Sequence, residues 1–87
     1  MELEAAELTN VFARNLRRRR QELGLTQEQL AERTGISAPD ISDMERGERP
    51  PKLSTIARIA EGLTLSPSHL LSAELFTVAA ENPANRA

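Results

Sequence analysis

The segment Leu25–Gly47, LTQEQLAERTGISAPDISDMERG, leaves this chain little freedom. Thr26 is followed three residues later by Gln29, a capping-box pair in which each side chain satisfies the other's backbone N–H at a helix start. Leu30 and Ala31 then supply the apolar face. Gly35 stops this helix, because glycine adopts the left-handed backbone that a C-terminal turn needs. Ser37 opens a second helix, with Asp40 three residues on. Pro39 falls in its first turn, where a missing N–H costs nothing. Ile41 and Met44, three apart, lie on one face, and Gly47 ends the helix. Two helices this short are not stable alone in water. The rest of the chain has to give them a core.

The flanking sequence offers one. Thr9 or Asn10 is a good N-cap, and Phe12, Leu16 and Leu23 form an apolar stripe at helical spacing, widened by Leu8 and Val11. Residues 1–8 are acidic and alanine-rich, and read as a tail or an early start of helix 1. The domain is expected over residues 9–80, with residues 81–87 a disordered tail. Helix 2 is expected over about Gln27–Arg33, helix 3 over Ala38–Arg46 and helix 4 over Leu53–Leu63. Leu53, Ile56, Ile59, Ala60 and Leu63 share one face of helix 4 and read as core. Ser66-Pro67 is an N-cap followed by proline, which opens helix 5. The fold class is therefore all-α, with five helices, of which helices 2 and 3 form a helix-turn-helix. Leu70 and Leu71 complete the core. Leu75, Phe76 and Val78 exceed what that core needs. They either fold back on helix 1 or form a two-fold interface, and a small aliphatic domain favours the interface.

Composition narrows the function. The chain has 87 residues, 39% of them hydrophobic, with no Cys, Trp or Tyr and a single His. Thiolate chemistry and disulfides are excluded. His69 alone gives no ligand set, so no metal and no cofactor are expected. No His–carboxylate pair or glycine-rich phosphate loop is present, so no enzyme is expected. Asp40 and Asp43 come nearest, and carboxylates at that spacing are ordinarily solvated surface. No apolar run is long enough to cross a membrane and no signal peptide is seen, which fits a cytoplasmic protein. The net charge is −2, but it is unevenly placed. Residues 1–9 carry −3, residues 10–58 carry +3 and residues 59–87 carry −2. For a nucleic-acid partner the local face counts for more than the total.

Thr26-Gln27, Leu30-Ala31, Gly35-Ile36-Ser37, Ile41-Ser42 and Glu45-Arg46-Gly47 together resemble the Cro/CI-type, lambda-repressor-like helix-turn-helix domain. The likeness runs from about Phe12 to Leu71. It implies a DNA-binding transcription regulator of bacterial or phage type, a repressor acting on the nucleoid as a homodimer. Helix 3 would enter the major groove of double-stranded DNA at a pseudo-palindromic site. It implies that Arg20 pairs with Glu45, tying helix 1 to the recognition helix. It assigns backbone phosphates to Gln27, Arg46, Arg49 and Lys52. Of the run Arg17–Arg20, four consecutive residues cover a whole helical turn, so they cannot all face DNA.

By position, the base-edge readers would be Ala38, Pro39, Ser42 and Asp43. This set departs from the family, where Gln, Asn, Arg or Lys commonly make bidentate contacts. Ala38 and Pro39 touch only apolar groups, Ser42 discriminates little, and Asp43 accepts from cytosine N4. Asp40 reads as a cap rather than a reader. Two further departures are Arg19, where the family often has an apolar residue, and Thr64, where it often has glycine. The acidic recognition helix keeps open a second reading: a protein-interaction module on the same fold, such as an antitoxin or co-regulator with a protein partner.

Overall fold

Helix α1 spans Ala5–Glu22. The computed structural model describes residues 4–73. The first helix thus starts before Thr9 or Asn10, and residues 5–8 belong to the domain rather than to a tail. Its N-cap is Glu4, whose N–H donates to Glu7 Oε1 at 2.9 Å. Carboxylates at the positive end of a helix stabilise that end. Thr9 lies inside the helix and its hydroxyl donates back to the Ala5 carbonyl at 2.9 Å.

α2 (Gln27–Thr34) and α3 (Ala38–Glu45) form the expected pair. The Thr26–Gln29 box closes in both directions, at 3.0 and 2.8 Å. Gly35 takes φ 75°, and Ser37 Oγ accepts from the Asp40 N–H at 3.2 Å. α4 (Leu53–Gly62) follows, and then α5, a single turn over Pro67–Leu70. Leu75, Phe76 and Val78, and the tail 81–87, lie outside the described residues.

Phe12, Leu16, Leu30, Ile41, Ile59, Leu63 and Leu70 are essentially fully buried, one or more from every helix. Each contributes about 1.5–3 kcal/mol relative to exposure. Ala31, Leu23 and Leu71 are partly buried and pack against this core. Leu53 is the exception: it is 82% exposed. It is the first residue of α4, one turn before Ile56, and no described element covers that turn. With Leu8, Phe12, Pro50, Pro51 and Leu71 it lines an apolar cleft of about 230 Å³.

Two features of α4 fix how the helices meet. A Cβ on Gly62 would lie 2.6 Å from Thr34 Cγ2, so only glycine lets α2 and α4 approach this closely. Thr64 adopts φ 59° and keeps the left-handed turn that glycine usually makes, with Leu65 N donating to the Ala60 carbonyl at 2.9 Å. For an L-residue that backbone costs about 1–2 kcal/mol.

Candidate nucleic-acid interface

The anchor of α3 is at its C-terminal end. Arg20 Nε donates to Glu45 Oε2 at 2.6 Å and Arg20 Nη2 to Glu45 Oε1 at 2.9 Å. The pair is bidentate and its side chains are only 12% and 4% exposed. Arg20 Nη1 also donates to the Leu25 carbonyl at 2.7 Å, and Gln27 Nε2 donates to Glu45 Oε1 at 3.1 Å. One carboxylate therefore holds α1, the start of α2 and the end of α3 together. The hydrogen bond that Arg20 donates to Glu45 raises the Arg20 pKa further, against the opposing effect of burial.

The outward side of α3 is different. Pro39 is exposed, and Ala38, Ser42 and Asp43 are half-buried. Arg46, the C-cap, reaches back along the helix. Its Nη1 donates to Ser42 Oγ, and its Nη2 lies 2.5 Å from Asp43 Oδ1. Its Nε donates to Glu48 Oε2 at 3.0 Å. That bond is the main reason why the Glu48 carboxyl sits below the usual carboxylate range and the Arg46 pKa is raised. Arg49, in the following loop, pairs with Asp40 Oδ1 at 2.7 Å. The Asp40 backbone serves the Ser37 cap while its carboxylate turns to the loop. Lys52 is exposed at the N-cap of α4.

Thus Ser42, Asp43 and Arg46 come together on one face, with Asp40 and Arg49 in a second pair. Gln27 is drawn inward to Glu45. Two inter-helix ties fall outside the motifs singled out above. Asn15 is 4% exposed, and its amide donates to the carbonyls of Leu70 and Ser72 at 3.0 and 3.1 Å. A polar residue within the buried stripe of α1 was the available signal. Arg19, at the position where the family often has an apolar residue, makes the second tie: its Nε donates to the Leu63 carbonyl at 3.0 Å.

A helix-turn-helix domain model matches residues 11–72. The chain belongs to the lambda-repressor-like helix-turn-helix family. Control protein C.SmaI of Serratia marcescens is 38% identical over 66 residues, covering 76% of this chain and 79% of that protein. The HTH-type transcriptional regulator y4dJ of Sinorhizobium fredii is 35% identical over 66 residues, covering 76% and 86%. The P22 c2 repressor, solved with a synthetic operator, superposes with a TM-score of 0.66 at 31% identity, over 70% of this chain and 92% of that one. Members of this helix-turn-helix family are DNA-binding transcription regulators. Among the described residues no helix is long and apolar enough to cross a membrane, and no group of side chains is placed to hold a metal.

Proposed function

We propose that this helix-turn-helix protein is a cytoplasmic repressor that binds a pseudo-palindromic operator as a homodimer, with α3 in the major groove. The observation that carries the reading is the buried Arg20–Glu45 pair. It fixes α3 by its C-terminal end and leaves Ala38, Pro39, Ser42 and Asp43 on the outward side to meet base edges. Arg46, Arg49 and Lys52 meet phosphates with their side chains, and Gln27, whose side chain is held by Glu45, does so with its backbone N–H at the start of α2. Arg46 and Arg49 exchange their exposed carboxylate partners for phosphate oxygens, which accept guanidinium hydrogen bonds as carboxylates do. None of the readers is a bidentate amide or guanidinium. Specificity therefore leans on DNA shape and on half-site spacing. The two-fold contact is assigned to Leu75, Phe76 and Val78. The apolar cleft around Leu53, lined also by Leu71, supports it.

The test is selection of bound duplexes from a randomised pool at low salt. An enriched inverted repeat is expected, with cytosine under Asp43. Failure to enrich any sequence overturns the reading in favour of a protein partner, which Asp40 and Asp43 on α3 would then serve.

A further inference from the structure

The fold divides the run Arg17–Arg20 into two halves. Arg20 goes to Glu45 and Arg19 to the Leu63 carbonyl, so both tie helices together. Arg17 and Arg18 lie on another side of α1. With Arg14, one turn earlier, and Arg46 from the end of α3, they line a cleft of about 570 Å³. Gln21 and Glu45 form part of its wall. We infer that this cleft is a second phosphate-binding surface, in which Arg14 and Arg17 of α1 take a DNA backbone phosphate flanking the base pairs under α3.

Charge is the first argument. Four guanidinium groups line the cleft; its one lining carboxylate, Glu45, is committed to Arg20, and Arg46 at the rim is shared with the exposed Asp43 and Glu48. Arg18 has Glu22 3.3 Å away, an exposed pair that constrains it little. Position is the second. Arg46 forms the rim, and the same guanidinium is bonded to Ser42 and Asp43. The basic side of α1 is therefore continuous with the outward face of α3. A duplex seated on that face brings its sugar–phosphate edge to the cleft. Chemistry is the third. Planar guanidinium groups select oxyanions that accept two parallel bonds. The fourth argument is need: the outward side of α3 carries Asp40 and Asp43 and no bidentate base reader, so affinity has to come from the backbone.

The inference rests on α3 reading DNA, and the experiment separates the two. The full chain is titrated with its selected duplex and with an unrelated duplex over a range of salt. Arg17→Ala and Arg14→Ala should each weaken binding to both duplexes by a similar factor. Each should also flatten the dependence of log K on log salt by about 0.9, the value for one lost phosphate contact. Arg17→Lys should restore the slope. Arg33→Ala removes the same charge away from the cleft, where Arg33 Nη1 donates to the Gly62 carbonyl, and should leave the slope unchanged. If the parent binds DNA and the α1 variants keep its slope, or lose no more than Arg33→Ala does, the cleft is not a phosphate site. If the parent binds no duplex at all, the α3 reading fails and this one falls with it.

Discussion

Two sets of arginine–carboxylate pairs flank the same helix and behave differently. At Arg20–Glu45 both partners are buried, the geometry is bidentate, and Leu25 and Gln27 add one further hydrogen bond to each partner. At Arg46 with Asp43 and Glu48, and at Arg49 with Asp40, the side chains are between 38% and 57% exposed. Burial decides the role. A desolvated pair cannot lose one member without leaving an uncompensated charge, so it acts as a fixed joint. A solvated pair is worth little and is exchanged readily. The helix is thus rigidly attached behind and equipped in front with cations whose present partners are replaceable.

The contrast can be broken most directly at the joint. Glu45→Ala should cost about 3–5 kcal/mol in a urea melt, a large share of the roughly 5–15 kcal/mol typical of a folded protein. A loss under 1 kcal/mol would remove the distinction between the two sets. Asp40→Asn should change stability by less than about 0.5 kcal/mol. It should also tighten DNA binding, because it releases Arg49 and removes a repelling charge. A weakened duplex titration would show that Asp40 positions Arg49 instead of occupying it. The smallest effect concerns Glu48. Its folded-state pKa is lowered by Arg46, so its contribution to stability is complete above the unfolded carboxylate value and is lost as pH falls through the folded one. A carboxyl-carbon NMR titration should place its midpoint below 4.5, the ordinary value. Arg46→Ala should return it there.

Much of this was legible from local signals. The caps at Thr26 and Ser37, the glycine at 35 and the apolar stripes place α2 to α4 within a residue at each end, because those signals act over three or four residues. Arg20–Glu45 followed from resemblance rather than from spacing. What escaped was set by long-range packing. Leu53 fits the apolar face of α4 by period, but periodicity does not say where the neighbouring helix stops. The early start of α1 was one of two open readings of residues 1–8; the sequence did not decide it because Glu4 is not a preferred capping residue, although acidic residues suit a helix N-terminus. The partners of Arg46 and Arg49 were not legible either. The carboxylates that hold them come from turns the sequence assigned to other work.

The C-terminus of α4 has a consequence for how this domain comes apart. Arg33 from α2 and Arg19 from α1 donate to consecutive carbonyls there, at Gly62 and Leu63, each at 3.0 Å. These ties span 29 and 44 residues of sequence. Neither the first helix nor the helix-turn-helix can complete its own contacts until the fourth helix is in place. Opening of α4 takes the partner from both arginines, and opening of α1 or α2 takes one from α4, so the described domain should melt in a single two-state transition rather than fray element by element.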